Sequence, residues 1–281
     1  MRTPIQISPI TVTKFLLAIV FALLLANLAI IYLNIVLGYE HLKGFIHGFY
    51  FDTEANFPSL YSAMAIWLAA FLLWRIGATG AEKKARRSFY WKFLSMLFVF
   101  LGLDEFASIH EGLIQPAQRI LSTFDLMSGY LYFAWLVPYL LLTIGVGLIV
   151  YKFVFSIPAH TRMLFIIAGV VFLCGAAGME MVGGNYWAAQ GWSVHGTDKI
   201  DIVYSMIVTV EELLEMVGIV IFIHALTAYY LRTAGSADIF IRIVEGVKQS
   251  SNSCARFRPF IWSRSAGFMR NEHAITQKFE Q

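Results

Sequence analysis

Residues 203–231 read VYSMIVTVEELLEMVGIVIFIHALTAYYL. Apart from tyrosines, the run holds only Glu211, Glu212, Glu215 and His224 as ionisable groups, and it is long enough to cross a bilayer. A hydrocarbon core of roughly 30 Å takes about 20 apolar residues per helix. The same run places three carboxylates within five residues, and membrane segments exclude carboxylates unless they serve a purpose. One stretch therefore fixes both the setting of the protein and the place to look for its chemistry.

The rest of the chain agrees with the setting. Of 281 residues, 58% are hydrophobic, 16% aromatic and 14% charged, with a net charge of +3. Soluble domains carry about 25% charged residues. This excludes an ordinary globular enzyme, a disordered chain and a nucleic-acid reader. Six stretches qualify as spans: 14–37, 57–76, 89–111, 131–153, 163–184 and 203–231. The first follows Arg2 and Lys14 like a signal peptide, but its apolar run is too long for a cleaved segment and reads as an anchor helix. The expected fold is all-α: a polytopic membrane protein of six transmembrane helices at 14–231, after a short N-terminal segment, 1–13.

Orientation follows the Lys and Arg residues. Arg75, Lys83, Lys84, Arg86, Arg87 and Lys92 follow the second stretch, Lys152 and Arg162 flank the loop after the fourth, and eight basic residues lie from Arg232 onward. With Arg2 and Lys14 these make 18 of 21, leaving Lys43, Arg119 and Lys199 for the other side. Both termini are therefore expected in the cytoplasm, in a cell membrane of the bacterial inner-membrane kind. The basic inner face suits anionic lipid headgroups. Within the tail, 232–281, residues 237–248 suit an amphipathic helix on the inner leaflet and the remainder suits disorder. Cys174 falls in a span and Cys254 in the tail, so no disulfide is expected.

Thirteen of the 18 acidic residues fall on or near the outer side, a bias that topology does not require. On the third span, 89–111, Asp104, Ser108 and Glu111 fall within about 60° of one another, with Glu105 at the edge of that face and His110 turned about 100° from Glu111. On the sixth span Glu211, Glu212 and Glu215 cover about 100° of arc, with Tyr204 on the same face. Glu180 sits near the outer end of the fifth. Glu54 opens the second, where Asp52 or Thr53 would cap the helix and Pro58 suits its first turn. Gly169, Ala176 and Gly183 are expected to share one face of the fifth span and admit a close neighbour. His224 stands opposite the glutamates and reads as a packing residue, His160 as a cytoplasmic loop residue, and His41, His47 and His195 as outer-loop residues within reach. Asp104-Glu105 and Glu211-Glu212 sit at different depths along their helices, so no inverted repeat is read.

Carboxylates with a histidine suit a divalent metal such as Fe, Mn, Mg, Ca or Zn. The candidate ligands are Asp104, Glu105, His110, Glu111, Glu180, Glu211, Glu212, Glu215 and Glu54. Glu212 and Glu215 are candidates for a general base or a proton carrier. The Glu-x-x-His motif of di-iron bundles is absent, as are a phosphate loop, a Gly-x-Ser-x-Gly elbow, a His-Glu-x-x-His helix and a Cys-x-x-Cys pair.

Leu103-Asp104-Glu105…His110-Glu111, Glu211-Glu212-Leu213-Leu214-Glu215-Met216-Val217-Gly218 and Glu54-x-Asn56-x-Pro58 resemble the signature stretches of an uncharacterised family of bacterial multi-pass membrane proteins. That resemblance covers about residues 14–231 and implies no activity. Asp104…Ser108…His110 is also distantly similar to the alkaline ceramidase and progestin-receptor-like membrane hydrolases. Those have seven helices and a three-histidine zinc site, and neither carries over to glutamate-bearing residues 203–231. The leading expectation is a metal-dependent enzyme acting on a lipid or apolar substrate, with a cation- or proton-coupled transporter as the runner-up and a non-enzymatic subunit or assembly factor as the third class.

Overall fold

The structure, a computed structural model, describes residues 8–38, 44–79, 82, 85–126, 128–191 and 200–234. Helix α1 spans Pro9–Ile35, α2 Phe45–Phe49, α3 Phe57–Gly77 and α4 Ala85–Ala107. A 3-10 turn, Glu111–Leu113, leads into α5, Ile114–Thr123, and a second, Gly129–Leu131, precedes α6, Leu136–Ser156. Helix α7, Ala159–Leu173, passes through a π segment, Cys174–Met179, into α8, Glu180–Ala189, and α9 spans Ile202–Thr233. No strand occurs among the described residues. The expected tail helix at 237–248, together with His41, His195 and Cys254, lies outside the described residues.

Four segments are long and apolar enough to cross a membrane: Pro9–Ile35, Phe57–Gly77, Leu136–Ser156 and Ala159–Ala189. The α4–α5 pair makes a fifth if taken as one broken span, bent by 81°. Helices α1 and α6 are apolar on every side and leave Phe15, Phe21, Leu141, Ile144 and Leu148 exposed, which suits contact with lipid. Helix α9 is the hub: α1, α3, α7, the π segment and α8 all pack on it. Its buried face carries Met216, Ile219, Val220, Ile223 and Leu226.

Local chemistry moves several boundaries from their expected places. The first helix begins at Pro9 rather than residue 14, because Ser8 Oγ accepts from the Thr11 N–H and proline suits the first turn. Helix α3 is capped by Asn56, not by Asp52 or Thr53. Asn56 and Ser59 exchange bonds in a capping box, with Asn56 Oδ1 accepting from Ser59 N and Ser59 Oγ from Asn56 N, both at 2.9 Å.

Helix α4, in the place of the expected third span, ends at Ala107, so Ser108 and Glu111 do not extend the helical face of Asp104. Ser108 takes a left-handed backbone (φ 49°), and the Ile109 N–H reaches back to the Asp104 carbonyl at 3.4 Å. This is a Schellman stop with serine in the place usually held by glycine. The Asp104 carboxylate reinforces it by accepting from the His110 N–H at 2.8 Å.

Close approach in the fifth span also falls elsewhere than expected. A Cβ on Gly169 would meet nothing within 4 Å, whereas one on Gly175 would lie 2.6 Å from the Glu211 carbonyl oxygen. The π segment rotates the chain at this point, which breaks the seven-residue spacing of Gly169, Ala176 and Gly183.

At the end of the bundle where α3 gives way to α4, buried Glu82 forms an ion pair with Arg87 at 2.6 Å. It also accepts from the Tyr229 hydroxyl at 2.6 Å and Trp91 Nε1 at 3.1 Å. Burial by itself would raise the Glu82 carboxyl. The hydrogen bonds of Arg87, Tyr229 and Trp91 outweigh it and hold the group below the usual carboxylate range.

Candidate functional site

At the opposite end, a cavity of about 500 Å³ opens between the 51–54 segment, α3, the C-terminal end of α4, α8 and the N-terminal half of α9. Each wall is placed by a local device already described. The α3 cap turns the chain so that Asp52 and Glu54 look inward. The Schellman stop brings His110 and Glu111 back over Asp104 and Glu105. The π segment delivers Glu180 opposite Glu211, and α9 supplies Glu211, Glu212 and Glu215 along one stripe.

All nine candidate residues from the sequence, Glu54, Asp104, Glu105, His110, Glu111, Glu180, Glu211, Glu212 and Glu215, line this one cavity. No three His, Cys, Asp or Glu groups are arranged to hold a metal ion among the described residues. The acids surround a chamber instead of converging on a point. His47 is exposed on α2 and takes no part in the lining. His224 is a packing residue as read, its Nδ1 2.8 Å from the Thr13 hydroxyl.

Two polar relays cross the chamber. Asp104 is held by the His110 backbone N–H, by His110 Nδ1 at 3.4 Å and by the Tyr139 hydroxyl. The His110 ring lies against Trp135, with centroids 4.7 Å apart, and Trp135 Nε1 donates to Glu180 Oε1 at 2.6 Å. Glu180 in turn hydrogen-bonds Glu211. A hydrogen bond between two carboxyl groups needs a proton on one of them. At the mouth Tyr204 hydrogen-bonds Asp52. Partial removal from bulk water, then the like charges of Glu180 and Glu54, push the Asp52 carboxyl up to about 7 while its side chain keeps contact with solvent.

A second, apolar chamber of about 350 Å³ lies between α4, α6, α7 and α9. It shares Ile66, Leu101, Trp135, Tyr139, Phe172 and Ala176 with the acidic one.

The family described as a domain of unknown function (DUF8692) matches residues 15–230. The chain belongs to that family. No curated protein and no solved structure matches it. Every described residue lining the acidic cavity falls within the DUF8692 stretch, 15–230.

Sequence reasoning missed Asp52, Trp135 and Tyr139. Asp52 reads as a helix cap in the sequence, and neither aromatic stands out there. A tryptophan and a tyrosine four apart, opening an otherwise apolar helix, are the available signal for the latter pair.

Proposed function

We propose that this protein is a cation- or proton-coupled transporter whose carboxylates exchange protons for a cation inside the membrane. The bundle would cross six times, with α9 as the last span and both termini in the cytoplasm, as the basic residues favour. The acidic chamber would then open to the exterior, the periplasm if the membrane is a bacterial inner membrane, and the basic face would rest on anionic lipids. The observation that carries this reading is the lining of the chamber: among the described residues, nine carboxylates against one histidine, with no lysine or arginine. Such a surface attracts cations and repels anions. Carboxylates packed at this density share protons when no cation is present. Glu180 and Glu211, in contact with each other, would do so, and Glu212 and Glu215 would extend the stripe inward as carriers.

The test is a vesicle experiment. Protein is reconstituted with a trapped pH-sensitive dye, and Na⁺, K⁺, Mg²⁺, Ca²⁺ and a tetraalkylammonium ion are added in turn. At least one cation should shift the internal pH, and the response should be lost in Glu211→Gln and Glu215→Gln. An internal pH indifferent to every cation ends the transport reading.

The apolar chamber favours a second reading, an enzyme acting on a lipid or other apolar substrate, with Glu212 or Glu215 as general base. A metal would be needed for the hydrolytic form, and the carboxylates would have to draw together to bind it. Metal analysis of the purified protein beside Glu212→Gln decides this: stoichiometric metal lost in the variant supports it, and metal-free wild-type protein sinks it.

A further inference from the structure

Hydroxyl side chains inside a helical membrane bundle normally bond back to the carbonyl one turn earlier. Thr13, Thr143, Thr209 and Thr227 all do so here, at 2.6–2.9 Å. Ser62 of α3 does not. It is 7% exposed, and its Oγ is the one buried side-chain oxygen or nitrogen without a hydrogen-bond partner among the described residues. Leaving a hydroxyl so placed is costly, and the cost is avoidable, since alanine would fill the same position.

Ser62 lines a small void of about 10 Å³ whose wall also contains Glu105 and Glu215. The void borders the acidic chamber, with which it shares Ile66, Glu105, Phe172 and Glu215. Its other walls are the apolar side chains of Met216 and Ile219 together with Ala65 and Tyr61. The space suits one particle of about the size of a water molecule. A hydrated or organic cation is too large for it. Only two acidic groups reach it, and no three such groups are arranged for a metal among the described residues. Hard cations take oxygen ligands, which Ser62, Glu105 and Glu215 provide, whereas the Met216 thioether suits only soft metals. Two carboxylates on one small recess repel each other unless they take up a proton or a cation lies between them, and a neutral water by itself would leave that repulsion in place.

We propose that Ser62 Oγ, Glu105 and Glu215 bind a single dehydrated Na⁺ ion in this void, at the inner end of the acidic chamber. The proposal rests on reading that chamber as a cation pathway and names the ion at its deepest point. The hydroxyl supplies a neutral oxygen and the two glutamates supply the charge. The tightness of the void favours Na⁺ over the larger K⁺.

Thermal unfolding of the detergent-solubilised full chain, in NaCl, KCl and choline chloride at equal ionic strength, tests the site. Wild type should melt higher in NaCl than in the other two salts, with a saturable dependence on Na⁺. In Ser62→Ala the half-saturating concentration should rise by about tenfold, the loss of one ligand contact. In choline, Ser62→Ala should be at least as stable as wild type, because an unpaired buried hydroxyl has been removed; this sign reversal also shows that the variant folds. Glu215→Gln should lose the Na⁺ response. Equal melting in the three salts, or an unchanged Na⁺ response in Ser62→Ala, overturns the proposal and shows that the void holds water only. Failure here, with cation-driven pH changes intact in vesicles, removes this site alone. A Na⁺ response without any such pH change removes transport and leaves the site standing.

Discussion

Single polar side chains hold the apolar bundle together through partners far away in sequence. Asn27, fully buried in α1, donates to Thr209 Oγ1 of α9 at 2.8 Å and accepts from the Phe51 N–H at 3.0 Å. It thereby ties the rim of the acidic chamber to the two helices beside it. Glu82 does comparable work at the other end, where Arg87, Trp91 and Tyr229 meet on one carboxylate. Neither role is legible in the sequence. Asn27 is one polar residue in an anchor helix, and Glu82 is one acid in a basic loop; the partners that define them lie up to 182 residues away. The Glu82 cluster makes a pH prediction. Its carboxyl titrates below the ordinary 4.5 when folded, so its contribution is complete above that pH and fades as the pH falls through the lower folded value. The melting advantage of wild type over Glu82→Gln should therefore be level from neutral pH down to about 4.5 and shrink in more acidic buffer. An advantage that grows with acidification would mean that the ion pair does not hold this corner.

At the scale of the helix, apolar runs were readable, whereas helix ends were not, because a few local bonds decide an end. Residues 57–76 and 203–231 match α3 and α9 to within two residues at each end. Residues 89–111 do not match, because α4 stops at Ala107 on a left-handed serine. Glycine is the usual signal for such a stop, and Leu103-Asp104-Glu105-Phe106-Ala107-Ser108 contains none. The misread end matters for the site, since the turn at 108–110 sends His110 back to Asp104. Ser108→Gly should stabilise the fold by about 0.5–1 kcal/mol, because glycine takes a positive φ without steric cost; chemical denaturation in micelles measures it. A destabilised variant would show that the Ser108 side chain does more than occupy the turn. The π segment is a second departure invisible to helical periodicity. By resetting the rotation of the chain it aims Glu180 at Glu211 and lets Gly175 meet the α9 backbone.

For the whole molecule, composition was the reliable guide. The scarcity of charge places the helices in a membrane, and four of the described segments are long and apolar enough to cross one. The carboxylates of α4, α8 and α9, read as one outer-side group by counting residues per turn, line a single chamber. What the count did not reveal is the shape of that chamber. Its acids are spread around about 500 Å³ instead of gathered at a metal's coordination distance, and an apolar room adjoins it through Trp135 and Tyr139. Depth along a helix can be estimated from rise per residue, but convergence between helices depends on crossing geometry and on devices such as the π segment.

The central claim, that cations displace protons from these carboxyl groups, is tested most directly by infrared difference spectroscopy of the reconstituted protein, alternating cation-free and cation-containing buffers at constant pH. The account predicts loss of a protonated-carboxyl band and gain of a carboxylate band on cation addition, reversed on washing and diminished in Glu211→Gln. A spectrum with no carboxyl change for any of the cations used in the vesicle assay would contradict it.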